Sequence, residues 1–118
     1  MDSIAKESLL FDFYGQLLTE KKRRVMELYH EEDLSLSEIA EESGISRAAV
    51  YDSLKSAERK LAEYENKLGL VDRFSKSNKA FAEIGRSIDD IEKTHSGDAE
   101  LVKRLDDIRS IIGELEAE

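Results

Sequence analysis

The chain has no cysteine, no proline and only six glycines in 118 residues. Without cysteine there is no disulfide scaffold, no thiolate metal site and no cysteine nucleophile, which fits a reducing, cytoplasmic setting. With so little proline and glycine there are few places for the tight turns a sheet needs, so the expected fold class is all-α. No stretch approaches the roughly 18 to 20 apolar residues of a membrane span. The start, MDSIAKESLLFDF, has no cationic segment ahead of an apolar run, so neither a membrane span nor a secretory signal is expected. The sequence also lacks phosphate-cradling glycines, a dinucleotide fingerprint and a G-x-S-x-G elbow. Its acidic pairs, Asp89-Asp90 and Asp106-Asp107, fall on helix faces expected to be solvated, so no enzyme and no cofactor is expected.

Positive charge is scarce as well. Eighteen Lys and Arg stand against 27 Asp and Glu, a net charge of −9. A protein that coats nucleic acid gains affinity by neutralising phosphates, and this chain as a whole would be repelled by them. The deficit is spread evenly: residues 1–60 hold 9 basic against 13 acidic side chains, and residues 61–118 hold 9 against 14. Only Lys21-Lys22-Arg23-Arg24 and the stretch Arg47 to Lys60 run the other way, so any contact with DNA or RNA must be local to them.

What is present is helical periodicity. Ile4, Leu9, Leu10, Phe13, Leu17 and Leu18 behind Asp2 or Ser3 predict a first helix. Thr19 opens a second, with Val25, Leu28 and Tyr29 on one face, ending in Glu31-Glu32-Asp33. Ser35 and Glu38 form an S-x-x-E capping box, and Gly44 sits where a chain leaving a helix turns left-handed. Ser46 then caps a helix with Val50, Leu54, Ala57 and Leu61 along it, a stripe that continues through Tyr64, Leu68 and Val71. After Gly69-Leu70 it resumes as Phe81, Ile84, Ile88 and Ile91, and Asp98 caps a last helix carrying Leu101, Leu105, Ile108, Ile112 and Leu115. The expected organisation is a helix-turn-helix head at residues 1–62 and extended C-terminal helices at 63–118.

The segment LSEIAEESGISRAAVYDSLKSAERK, residues 36–60, has helix-turn-helix grammar. Ala40 is small enough for a close crossing, Gly44 makes the turn, and Ile39, Ile45, Val50 and Leu54 fill the wedge. In such motifs the first turns of the second helix enter the major groove, which places Ser46, Arg47, Ala48, Tyr51, Asp52 and Lys55 toward base edges or phosphates, with Arg59 farther along. Ser37, Ser35 and the amides of the preceding helix start could hold one phosphate, and Lys22 and Arg23 could clamp another. The same wedge pattern also occurs in bundles that bind nothing. Glu38, Glu41 and Glu42 lie on the motif's first helix, so affinity is expected to be modest and salt-dependent.

Three stretches carry a closer likeness: LLFDFYGQLLTEKKRRVMELY at 9–29, EEDLSLSEIAEESGISRAAVYDSLK at 31–55 and EYENKLGL at 63–70. Residues 18–61 resemble region 4 of the bacterial sigma factors, which reads a promoter element. Together the stretches resemble the YlxM family, small proteins of Gram-positive bacteria encoded beside signal recognition particle components. The resemblance covers about the first two-thirds of the chain. It implies a DNA-binding regulator with a sigma-region-4-like fold, taking part in the signal recognition particle pathway. The family's reading helix maps onto Arg47, Ala48, Tyr51 and Lys55. The sigma factors carry more basic character at the groove than this chain, which leaves RNA or protein partners open. The alternative is an adaptor that binds a protein or RNA component of that particle without reading DNA.

Two E-x-x-H pairs, Glu27 with His30 and Glu92 with His95, have a spacing that can put two metal ligands on one helix face. His30 is expected to point away from the apolar stripe and His95 lies in a helix break, so no metal is expected. The apolar stripes at 54–91 and 101–115 exceed what a small head can cover. They either fold back as a hairpin or pair between chains, and a homodimer is the expected outcome.

Overall fold

Local capping chemistry decides where the helices begin, as a computed structural model describing residues 3–117 shows. The described residues form six α-helices and no strand: α1 (Ser3–Tyr14), α2 (Glu20–Met26), α3 (Leu36–Ser43), α4 (Arg47–Leu68), α5 (Leu70–Thr94) and α6 (Ala99–Ala117). Thr19 Oγ1 accepts from the Lys22 amide at 3.3 Å, Ser46 Oγ from Ala49 at 3.0 Å, and Asp98 Oδ1 from Leu101 at 3.1 Å. Each satisfies an amide that the first helical turn leaves without an intrahelical partner. Asp2, one of the two caps expected for α1, lies outside the described residues.

Ahead of α3 the capping box is complete. Ser35 Oγ accepts from the Glu38 amide at 3.1 Å, and Glu38 Oε1 accepts from the Ser35 amide at 3.0 Å. The amide bond from Ser35, followed by its hydroxyl, holds the Glu38 carboxyl below its usual range. A folded-state pKa below the unfolded one contributes stability above the ordinary glutamate range of about 4.3, which is lost as pH falls through the folded value. Glu38→Gln keeps a side chain that can reach back but cannot titrate. The variant is therefore expected to show a flatter acid limb than the wild type when the thermal midpoint is followed from about pH 5 to 3.

The chain divides into two compact units, Met1–Val71 and Asp72–Glu118. In the first, α4 is the spine. Its buried face, Val50, Leu54, Ala57 and Leu61, packs against α1, α2 and α3 and gathers Leu10, Tyr14, Leu18, Val25, Met26, Leu28, Ile39 and Val71 into one core. Gly44 (φ 70°) and Gly69 (φ 63°) end α3 and α4 in the left-handed region that glycine enters without a Cβ penalty.

Two apolar faces differ from the sequence expectation, each beside a change of helical pitch. The buried row of α1 runs through Leu10 and Tyr14 and, past a 3₁₀ turn at Gly15–Leu17, to Leu18, while Ile4 (84% exposed) and Leu17 (54%) face outward. After α2 the backbone widens into a π turn, Glu27–Glu31, in which the Glu32 amide reaches back five residues to the Glu27 carbonyl at 3.1 Å. Met26, at the end of α2, and Leu28 are buried, and within the π turn Tyr29 faces outward. Asp33 takes a left-handed φ of 55° and turns the chain toward α3.

At the corner between α4 and α5, Glu65 Oε1 accepts from the Tyr14 hydroxyl at 2.6 Å and from the Val71 amide at 3.0 Å. The Tyr14 oxygen itself accepts from the Leu70 amide at 3.0 Å. A tyrosine from α1 and a carboxylate from α4 thus cap the start of α5.

In the second unit Ile88 and Leu105 are buried. The Arg109 guanidinium joins α6 to α5, donating to Asp89 at 2.7 Å, to Glu92, and to Asp106 at 2.8 Å. Hydrogen bonds to Glu92 and then Asp89 raise its pKa further above an already high value, so it is a permanent cation. Ile84, Ile91, Ile108, Ile111 and Leu115 are all 40% exposed or more.

Candidate nucleic-acid interface

The wedge residues are packed as the motif requires: Ile39 and Val50 are fully buried, Leu54 nearly so, and Ile45 and Ala40 are half-buried against the same core. Because α4 buries positions 50, 54, 57 and 61, its opposite face must look outward. Tyr51, Lys55 and Arg59 are exposed on that side, and Ser46, Arg47 and Ala48 are exposed at the helix start. Tyr51, Asp52, Lys55, Glu58, Arg59 and Ala62 line an open, shallow trough along the helix.

The charges on this face are not equally available. Arg47 and Arg59 carry no ion pair among the described residues, whereas Lys55 Nζ lies 3.5 Å from Glu58 Oε2 and 5.6 Å from the centre of the Tyr51 ring. The cation over the ring holds Tyr51 beside Lys55 on the helix surface. An exposed lysine–glutamate pair is worth about 0 to 1 kcal/mol, so a phosphate could replace the glutamate at little cost.

On α2 the basic run divides. Lys21 and Lys22 have no side-chain partner among the described residues, while Arg23 lies 3.9 Å from Glu27. Arg24 spans three carboxylates, with Glu27 and Glu32 at 3.4 Å and Glu42 at 3.7 Å, and so links α2, the π turn and α3. Ser37 is exposed in the first turn of α3, but Ser35 Oγ is committed to the capping box and the ionised Glu38 carboxylate occupies that helix start. A phosphate there would meet a negative charge.

Neither E-x-x-H pair presents two ligands. Glu27 is engaged by Arg23 and Arg24, Glu92 by Arg109, and His95 Nδ1 lies 2.8 Å from Thr94 Oγ1. Sequence reading instead missed a different grouping, in which Glu7 from α1 and Glu58 from α4 approach His30. Glu7 and Glu58 each lie three residues from a buried leucine, Leu10 and Leu61, so periodicity could place both at the edge of an apolar stripe. It could not bring them together.

A short helix, a left-handed glycine turn and a longer helix with an exposed polar first half, crossing over a shared apolar wedge, define a helix-turn-helix protein. Comparison with known proteins agrees: residues 1–106 match the family described as "Putative helix-turn-helix protein, YlxM / p13 like". The chain belongs to this family, UPF0122. It is 48% identical over 99 residues to a UPF0122 protein of Desulforamulus reducens, an alignment covering 84% of this chain and 82% of that one. It is 46% identical over 89 residues to the protein of Halalkalibacterium halodurans, covering 75% and 82%. A relative from Bacillus thuringiensis is 40% identical over 106 residues, covering 90% and 96%. No helix of the described residues is long and apolar enough to cross a membrane.

Proposed function

We propose that the protein is a nucleic-acid-binding regulator, reading DNA with the exposed face of α4. The observation that carries this is the pair of unopposed guanidinium groups on α4, Arg47 in its first turn and Arg59 farther along, with the exposed Tyr51 ring and Lys55 between them, in a chain of net negative charge. Arg47 leads at the helix start, suited to guanine or phosphate; Ala48 leaves room for close approach; Tyr51 offers its ring edge and hydroxyl; Lys55 and Arg59 follow the backbone. Ser46 caps the helix and offers its amide to a phosphate. Lys22 and, after exchange of Glu27, Arg23 supply phosphate contacts from α2, and Ser37 contributes least because of Glu38. The exposed isoleucines of α5 and α6 suit pairing with a second copy, which would let two reading helices act on one site.

The test is binding of the full chain to a pool of genomic DNA fragments and to signal recognition particle RNA across a salt series. Arg47→Ala is expected to weaken binding roughly 5- to 150-fold, matching about 1–3 kcal/mol for a base-reading side chain. Binding that ignores salt, or that survives the substitution unchanged, sinks the groove-reading mechanism.

One observation favours a second reading, in which the protein is an adaptor in the signal recognition particle pathway. Glutamates already engage Arg23, Arg24 and Lys55, and the C-terminal helices expose apolar surface suited to a protein partner. Binding to the particle's RNA or protein but to no DNA fragment selects it.

A further inference from the structure

The π turn after α2 does more than close a helix. It swings His30 toward α1 and α4, where its Nε2 lies 3.6 Å from Glu7 Oε2. One ligand atom from each of Glu7, His30 and Glu58 falls within 4.8 Å of the other two. Three separate elements therefore converge on one point, and each contributes a side chain whose oxygen or nitrogen can ligate a cation.

We propose that Glu7, His30 and Glu58 form a binding site for a divalent cation of the Zn²⁺ class. Two carboxylates and a neutral imidazole sum to a charge of −2, which a divalent ion cancels, and this donor set suits zinc rather than the oxygen-only shells of magnesium or calcium. Bonds of about 2.0 to 2.2 Å in a tetrahedron put ligand atoms roughly 3.3 to 3.6 Å apart. The His30–Glu7 pair is already at that separation, and the remaining atoms need to close by little more than about 1 Å, within the reach of glutamate rotamers. Glu7 and Glu58 also rim a small crevice floored by Leu10, Met26 and Leu61. That apolar floor lowers the local dielectric and strengthens attraction between ion and carboxylate. Water supplies the fourth position. The cation would displace the Lys55 ammonium, the present partner of Glu58. The site stands on this geometry alone and does not depend on what α4 binds.

The experiment is calorimetric titration of the chelator-treated full chain with Zn²⁺, repeated with Mg²⁺, alongside the thermal midpoint with and without Zn²⁺. One equivalent of Zn²⁺ per chain, a raised midpoint and no comparable response to Mg²⁺ are expected. His30→Ala and Glu7→Gln alter half-exposed or exposed side chains, so their folding is read directly from the metal-free midpoint. Each should weaken Zn²⁺ by more than the roughly 10- to 100-fold typical of losing an outer-shell partner. His95→Ala and Glu27→Gln should leave it unchanged. Absence of stoichiometric binding, binding that persists in both ligand variants, or equal loss in the two control variants overturns the proposal.

Discussion

Ile39→Ala is expected to lower the free energy of unfolding of the first unit by about 2–5 kcal/mol, the range for truncating a fully buried aliphatic side chain. Ile39 has no exposed surface and sits on α3 at the centre of the wedge that Val50 and Leu54 complete from α4. The loss combines the transfer of three carbons with the cavity they leave. That cavity cannot easily close, because the capping box fixes one end of α3 and the Gly44 turn fixes the other. With total stabilities of about 5–15 kcal/mol, such a change consumes a large share of the margin. Urea denaturation followed by circular dichroism should show the midpoint fall. A loss below about 1 kcal/mol would mean that α3 is not held by the wedge.

Tyr14→Phe is the second large effect. The ring is 1% exposed and is retained in the variant, so the substitution removes only the hydroxyl. That oxygen donates to Glu65 and accepts from the Leu70 amide, and its removal leaves a part-buried carboxylate and an amide each one partner short. A cost of about 1–3 kcal/mol is expected from leaving such groups unsatisfied. Burial, then the bond to Glu65, raises the Tyr14 pKa. A raised folded-state pKa means the stabilisation is full below the ordinary tyrosine value of about 10 and is lost as pH rises from there through the folded value. Alkaline unfolding curves should therefore be steeper for the wild type than for Tyr14→Phe. Identical slopes would show that the phenol titrates as it does in the unfolded chain.

The contrast between the capping box and the tyrosine corner explains which parts of the fold were legible in the sequence. Thr19, Ser35, Ser46 and Asp98 bond to amides three residues away, and Gly44 is dictated by one φ angle. Such interactions lie within a single turn, so residue spacing specifies them. Tyr14 and Glu65 are 51 residues apart, and no local pattern pairs them. The outward turn of Tyr29 was hidden because periodicity assumes constant pitch, which the π turn breaks. On α4 the burial of every fourth or third residue made exposure of Tyr51, Lys55 and Arg59 predictable, whereas Arg47 is in register with the buried stripe and is exposed because it lies in the first turn. The pairing of Lys55 with Glu58 adds a competition for that cation which residue types alone do not reveal.

A π turn is an α-helix accommodating one residue too many. Deleting one residue from 27–31 would let the backbone rewind to ordinary pitch with the downstream chain nearly in phase, because the π turn and an α turn with one residue fewer both complete about one rotation. The loss would be that of the deleted side chain itself: removing Leu28 takes a buried residue from the core, and removing His30 takes the partner of Glu7. Between Met26 and Asp33, then, the chain has one residue to spare: a gap at a solvent-facing position such as Glu31 can be taken up there by a change of pitch, whereas the loss of Leu28 cannot.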